Sequence, residues 1–161
     1  MDSIRKRLTS RYLAVILLTI IVLEGLFIFT TINYYYGGVG EALLTKATIS
    51  SSFINRYAPS FSLDNKARYI FENIDKNELA LVEVVNSAGL VILDNSGFYP
   101  DKSINSPDFE KALQGEVGKW QGRSKLGERV MAVATPLWRD GEVVGVLRYT
   151  SSLAAVDKTV K

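Results

Sequence analysis

The residues best suited to chemistry in this sequence are cations placed close to an aromatic side chain. Trp120 is followed by Arg123 and Lys125, which combine an aromatic wall with positive charge and would suit an anionic small molecule. Arg148 lies in a stretch otherwise made of Val, Gly and Leu, so it either points into a polar pocket or emerges at a sheet edge. The competing interpretation is structural: Trp120 packs on a sheet, and the cations, with Arg129, form the solvated side of alternating strands.

The composition excludes several classes of enzyme and metal site. The 161 residues include no His and no Cys, which removes the usual general base at neutral pH, thiol nucleophiles and the commonest metal ligands. The loop at 94–97 lacks the alternating ligands of a calcium site. The serines at 50–52 lie in a helical pattern without a base at a suitable spacing. We therefore expect no catalytic residue, no metal site and no cofactor in this chain.

A basic N-terminus precedes a long apolar segment. Residues 1–11 carry four cations against Asp2, whereas residues 33–161 hold 15 basic and 15 acidic residues. The folded part thus lacks the charge excess that favours nucleic acid. Residues 12–32 contain a single charge, Glu24, and as a helix they would extend about 31 Å, close to the thickness of a hydrocarbon core. We predict a transmembrane helix at 12–32, with the basic tail in the cytoplasm and the rest outside.

Two alternatives to an uncleaved anchor stay open. A cleavable signal peptide also begins with basic residues, but its apolar part is about 7 to 15 residues long and ends in a small-x-small site. Only 38–40 resembles such a site. A buried core helix is the second alternative. Glu24 is costly in mid-membrane, so it suggests pairing with another helix, as in a dimer; a protonated or snorkelling side chain is the plainer interpretation.

Helices and strands follow one another in the rest of the chain. After a flexible break predicted at Gly37-Gly38, apolar residues at spacings of three and four predict a second long helix. A short helix is predicted at 64–74 with Asp64 as its cap, and another begins with Ser106 as its cap. Runs rich in Val, Ile and Leu predict strands at 79–85 and 90–93, and three further strand-like stretches lie at 117–124, 129–138 and 142–151.

The last two strands form a hairpin whose pairing follows from its turn. Asp140-Gly141 is a strong hairpin dipeptide. With these residues at the centre of the turn, three pairs are predicted: Trp138 with Val143, Ala134 with Leu147, and Val133 with Arg148. Both hairpin faces are then largely apolar. The predicted fold class is α+β, with a five-stranded antiparallel sheet covered on one face by the long helix and on the other by short helices and loops.

Two segments, SPDFEKALQG and VATPLWRDGEVVGVLR, indicate a known type of domain when they occur together in this order of elements. From about 39 to 153 the chain resembles the extracytoplasmic sensing domains of bacterial membrane histidine kinases. The closest likeness is to the phosphate-regulon and cell-wall-regulating kinases, whose outer domain has the Cache fold, a relative of PAS domains. The resemblance implies a pocket on the side of the sheet away from the long helix. It makes five residues candidates for ligand binding: Tyr99, Trp120, Arg123, Lys125 and Arg148.

The resemblance also implies the organisation of the chain. We expect a basic tail at 1–11, a transmembrane helix at 12–32, a Cache/PAS-like sensor domain at 33–153, and at 154–161 the start of an exit helix toward a second span. Such receptors continue into a cytoplasmic module, so we interpret the chain either as part of a larger receptor or as a naturally truncated one, without the kinase module.

The expected function is signal sensing for a two-component histidine kinase. We expect a homodimer in the bacterial cell membrane that senses a small anionic ligand or a cell-envelope protein. Chemoreceptors and membrane-bound diguanylate cyclases carry similar outer domains, so either output is an alternative. A membrane-anchored interaction module without a small ligand is another, and a pocket filled by the domain's own side chains would favour it. A further alternative is an extracytoplasmic enzyme that is anchored by its N-terminus.

Overall fold

One helix joins the apolar segment to the folded body. The structure is a computed structural model that describes residues 2–96 and 102–154. Helix α1 spans Asp2–Tyr57, 56 residues without interruption, which corresponds to about 84 Å. The break predicted at Gly37-Gly38 is wrong. Glycine in a helix costs only about 1 kcal/mol relative to alanine, and the packing of α1 on the sheet directly after these glycines outweighs that cost.

Seven further elements form the body. They are α2 (Leu63–Asn73), β1 (Leu81–Asn86), β2 (Val91–Asp94), α3 (Pro107–Leu113), β3 (Gly118–Arg123), β4 (Arg129–Arg139) and β5 (Glu142–Ser152). The strands form one antiparallel sheet in the order β2-β1-β5-β4-β3, which confirms the predicted sheet and makes β5 its central strand. The cap of α2 is Ser62 rather than Asp64, because the Ser62 hydroxyl accepts the N–H of Asn65.

The sheet separates two apolar cores. The larger core joins α1 and α2 to one face and includes Leu43, Ala47, Ile54, Ala67, Ile70, Val84, Val133 and Leu147. The smaller core lies under α3 and includes Val85, Phe109, Ala112, Ala134 and Val146. We predicted the short helices on the face opposite the long helix, and for α2 this is wrong. A helix about 10 Å wide covers only about two strands, so α2 completes the cover over the β1–β2 half.

The β4–β5 hairpin contains a β-bulge near its turn. The turn residues Asp140 and Gly141 both have positive φ, and the predicted pair of Trp138 with Val143 is confirmed. The next pair is Leu137 with Gly145, so β5 has one extra residue between the two pairs. Beyond the bulge the register is shifted by one. The other two predicted pairs are therefore wrong.

The bulge decides which face Arg148 occupies. Arg148 lies opposite Ala134 rather than Val133, and Val133 pairs with Tyr149. Directly opposed residues share a face of the sheet. Ala134 belongs to the core under α3, whereas Val133 belongs to the core under α1. The extra residue thus turns Arg148 away from the long helix and toward α3.

Candidate functional site

Four charged side chains meet on the α3 face of the sheet. The Nε of Arg148 donates to Asp108 Oδ2 at 2.7 Å, and its Nη1 donates to Glu83 Oε2 at 3.2 Å. The Nζ of Lys102 donates to Glu83 Oε1. Neither carboxylate side chain has solvent-exposed surface. We call Glu83, Lys102, Asp108 and Arg148 the charge cluster; its formal charges sum to zero.

The backbone fixes each member of the cluster. Glu83 and Arg148 are directly paired across β1 and the central strand β5, which are neighbours in the interior of the sheet. Asp108 lies in the first turn of α3, and a Cβ on Gly118 of β3 would lie 2.1 Å from the Asp108 carbonyl oxygen. Lys102 is held beside β2, where its carbonyl accepts the N–H of Val91 at 3.0 Å. Glycine at 118 therefore lets α3 approach closely enough for the Asp108 carboxylate to reach Arg148.

Two buried oxygens at the start of α3 are not satisfied by the protein. In the described ranges, Ser106 Oγ and Asp108 Oδ1 are buried and have no hydrogen-bond partner. Ser106 occupies the cap position of α3, as predicted, but its hydroxyl makes no cap bond. Leaving a buried polar atom unpaired costs about 1 to 3 kcal/mol. A bound water or the polar group of a ligand would remove this cost, so the two oxygens indicate where a small molecule could contact the cluster.

The structure brings together two of the five residues proposed from the sequence. The guanidinium carbon of Arg148 lies 5.8 Å from the centre of the Trp120 ring, within the range of cation–π attraction. Arg123 is exposed and donates to a carbonyl of its own turn, and Lys125 is exposed on that turn. Tyr99 lies outside the described residues. Ligand binding by any of these five residues stays a prediction.

The sequence interpretation missed the other three members of the charge cluster. Glu83 is a single acid inside an apolar run, which is the same signal that drew attention to Arg148. Two lone opposite charges in neighbouring buried strands predict a pair, because an unpaired buried charge is prohibitively costly. Asp108 had an ordinary explanation as an acid in the first turn of a helix. Nothing in the sequence around Lys102 indicates that it pairs with Glu83, since the two residues are brought together only by the fold.

A groove of about 530 Å³ lies on the other face, between α1 and α2. Phe53, Tyr69 and Ile70 are among its apolar lining residues. Two polar contacts link α1 across this region to the body: Lys46 Nζ donates to Glu78 at 2.8 Å, and the hydroxyls of Ser50 and Tyr149 are 3.2 Å apart. Burial raises the pKa of Tyr149, so this phenol stays protonated well above neutral pH.

Stability should depend on the protonation of Glu78. Burial alone would raise the pKa of Glu78, but hydrogen bonds from Lys46 and from the Ala80 N–H outweigh it and hold the pKa below its ordinary value of 4.5. The folded state therefore binds this proton more weakly than the unfolded state. The resulting stabilisation is complete above pH 4.5 and is lost as pH falls through the lower, folded pKa. Glu78→Gln should make the fall in unfolding free energy below pH 4.5 shallower, measured by urea unfolding of the full chain in detergent; an unchanged slope would contradict this.

The comparisons with known proteins identify a fold. Neither a family model nor a curated protein matches the sequence. Among solved structures, the Escherichia coli DcuS sensor domain is similar at 18% identity and a TM-score of 0.51, over 74% of this chain and 96% of that one. The Vibrio cholerae histidine kinase DctB sensor domain is similar at 15% identity and a TM-score of 0.54, over 82% of this chain and 60% of that one.

A chemoreceptor domain is similar to the same degree. The ligand-binding domain of the Pseudomonas aeruginosa amino acid chemoreceptor PctC, solved with GABA, has 14% identity and a TM-score of 0.58, over 79% of this chain and 68% of that one. The matches therefore include sensor domains of histidine kinases and of a chemoreceptor, and they confirm the predicted fold class. The chain has the Cache/PAS-like fold of receptor sensor domains.

Proposed function

We propose that this chain is the extracytoplasmic signal-sensing region of a bacterial two-component histidine kinase. One observation carries the proposal: the helix that covers the sheet continues without a break into the apolar segment at 12–32. In the described part of the chain, one helix is long and apolar enough to cross a membrane. A change in how the sheet packs on α1 would therefore move a membrane helix directly, with no flexible joint to absorb the movement.

Contacts next to the apolar segment support this coupling. The Nη1 of Arg129 donates to the Tyr36 hydroxyl at 2.7 Å, and its guanidinium lies over the Tyr36 ring. The carbonyl of Arg129 accepts the N–H of Leu153 at 2.8 Å. Leu153, close to the end of the described residues, therefore lies beside the point where α1 first reaches the body. This arrangement suits a receptor whose sensor domain is held between two membrane helices.

Strand β5 offers a physical route from the charge cluster to α1. Arg148 projects from β5 toward α3, and its neighbours Leu147 and Tyr149 project toward α1. Tyr149 also contacts Ser50 of α1 through its hydroxyl. A shift of β5 on ligand binding would change the packing on both faces of the sheet together. A signal of this kind needs a difference in affinity between two packings of only about 1 to 3 kcal/mol.

An anionic ligand would have to compete with the protein's own carboxylates. Arg148 is already held by Asp108 and Glu83, so an anion would displace at least one of them. PctC was solved with GABA, so this fold accepts a small ligand in at least one receptor. The same cluster favours a second candidate function, an anchored interaction module without a small ligand, because these side chains fill the α3 face themselves.

Two measurements test the proposal. The chain has no Cys, so single cysteines at Ser3 and at Leu126, which is strongly exposed, are unique labels. In intact cells an impermeant maleimide should label Leu126→Cys and not Ser3→Cys; the reverse pattern would overturn the proposed orientation. With the chain joined to a reporter kinase module, Glu83→Gln should change kinase output, whereas Glu116→Gln at an exposed position should not. Equal outputs from both variants and the parent would reject sensing at the charge cluster.

A further inference from the structure

We propose that the turn between β3 and β4 rests on the phospholipid surface of the membrane that α1 crosses. We call residues 124–128 the tip turn. Its two outermost residues, Lys125 and Leu126, enter the headgroup layer, and Arg123 lies beside them. The inference rests on the proposed function for the membrane anchor, but not for the side of the membrane on which the body lies. It adds a second point, besides α1, at which the body meets the bilayer.

The tip turn lies at the end of the body that faces the apolar segment. Strand β4 runs beside α1 in the same direction, as two contacts show. Arg129 at the start of β4 donates to the Tyr36 hydroxyl at 2.7 Å. Further along both elements, the Thr135 hydroxyl donates to the Ala47 carbonyl oxygen at 3.5 Å. The residues directly before β4 therefore point back along α1, toward the bilayer.

The length of the tip turn brings it down to the bilayer surface. Tyr36 lies about 6 Å along α1 beyond Ile32, the last residue of the predicted transmembrane helix. Leu126 lies three residues before Arg129, so it extends up to about 10 Å toward the bilayer. The tip turn therefore reaches about the level of Ile32, inside a headgroup layer about 5 to 7 Å thick. A helix tilt of about 20° would change this level by only about 3 Å, because the sheet packs about 10 Å from the helix.

The side chains of the tip turn suit a phospholipid surface. Leu126 is 88% exposed. An exposed leucine alone is ordinary, but this one lies beside cations at headgroup depth, where an apolar side chain gains by entering the boundary of the acyl chains. Lys125 and Arg123 are exposed as well, and at this depth their cations meet lipid phosphates. Glu128 is the one acid of the tip turn, so the formal charges of Arg123, Lys125 and Glu128 sum to +1.

The shape of the tip turn is fixed by its own hydrogen bonds. The N–H of Ser124 donates to the Glu128 carbonyl at 2.8 Å, and the N–H of Gly127 donates to the Ser124 carbonyl at 2.9 Å. Gly127 has positive φ, which closes the turn. The Nη1 of Arg123 donates to the Gly127 carbonyl at 3.0 Å. A turn that is already ordered loses little conformational freedom when it meets a surface.

Aromatic residues of α1 mark the same depth. Tyr34 and Tyr35 directly follow the apolar segment and are 80% and 53% exposed. Tyrosine rings at the end of a transmembrane helix prefer the headgroup level. The tip turn and these two rings therefore lie in one layer, and the lipid that surrounds α1 there is continuous with the surface below Leu126. This continuity favours lipid over a separate protein as the partner of the tip turn.

Fluorescence quenching by labelled lipids tests the contact. The full chain has no Cys, so Ser124→Cys carries a single environment-sensitive fluorophore in the tip turn. The protein is reconstituted in vesicles of equal parts phosphatidylcholine and phosphatidylglycerol that contain lipid with a spin label on its headgroup. Glu142→Cys is the matched control, because it is exposed and lies at the other end of β4, roughly 33 Å farther from the bilayer. We expect at least about fivefold stronger quenching at 124 than at 142.

Variants in the Ser124→Cys background identify the side chains that make the contact. Leu126→Ser should lower the quenching by at least about half, because the apolar side chain no longer enters the lipid. Arg123→Gln combined with Lys125→Gln should abolish the extra quenching that phosphatidylglycerol gives over phosphatidylcholine alone. Quenching unchanged by both variants would mean that the tip turn lies near the bilayer without contacting it, contrary to the proposal.

A cysteine in the apolar segment distinguishes failure of the contact from failure of the anchor. A fluorophore on Leu17→Cys should be quenched by lipid that carries its spin label deep in the acyl chain. If it is, equal quenching at 124 and 142 rejects the membrane contact and leaves the proposed sensor function standing. If it is not, the anchor is wrong and both proposals fail. Water fills the headgroup layer, so the maleimide that reports orientation still reaches Leu126→Cys there.

Discussion

Replacing Arg148 with methionine is expected to lower the free energy of unfolding by about 3 to 5 kcal/mol, because it leaves the buried carboxylate of Asp108 without a charged partner. Glu83 keeps Lys102 as a partner, but Asp108 loses its charged partner. Removing one member of a buried ion pair costs much more than the net value of the pair, since the remaining charge stays desolvated. The measurement is urea unfolding of the full chain in detergent. The fluorescence of Trp120, whose ring lies close to Arg148, provides a local signal.

A double variant separates charge from packing. Arg148→Met combined with Asp108→Asn removes the uncompensated carboxylate, leaves the ion pair of Glu83 with Lys102 in place and keeps similar side-chain volumes. It should recover at least about half of the stability lost in the single variant. Arg123→Met is the matched control, and a change within about 0.5 kcal/mol is expected because Arg123 is exposed. A double variant no more stable than Arg148→Met would mean that the Arg148 side chain acts by packing rather than by charge.

The sequence predicts most of the elements because local patterns determine them. The apolar run predicts the first part of α1, and short apolar runs bounded by turn residues predict most of the strands. A proline directly after the serine cap predicts α3. The glycines at 37 and 38 predict a break that does not form, because local propensity is weaker than the packing of α1 on the sheet. Strand ends differ by at most two residues from the predicted bounds.

The candidate site was less predictable because it depends on long-range pairing. One extra residue in β5 moves Arg148 to the opposite face of the sheet from the one its predicted pairing implies. In a strand with apolar residues on both faces, no alternation of residue types fixes the register. Asp108 reaches Arg148 only because α3 lies against β3, and nothing near Asp108 in the sequence indicates that contact. Arg123 and Lys125 follow Trp120 closely in sequence, yet the turn carries them away from it.

Introducing a methyl group at Gly118 should disturb the same site through the backbone. A Cβ there would lie 2.1 Å from the carbonyl oxygen of Asp108 and 2.5 Å from its Cα. Both are backbone atoms, so no side-chain rotation can relieve the clash, and α3 must move away from β3. Overpacking of this kind costs about 1 to 3 kcal/mol and occasionally more. The movement also lengthens the 2.7 Å contact between Asp108 and Arg148, which adds to the loss.

The outcome of Gly118→Ala distinguishes a close-packed helix from a mobile one. We expect the free energy of unfolding to fall by at least about 2 kcal/mol, with a shift of Trp120 fluorescence in the folded state. Gly37→Ala is the matched control, since a Cβ at Gly37 meets nothing within 4 Å and alanine favours a helix; its stability should be unchanged or higher. If Gly118→Ala unfolds like the parent, α3 can leave the sheet at little cost, and the charge cluster opens more readily than its buried ion pairs imply.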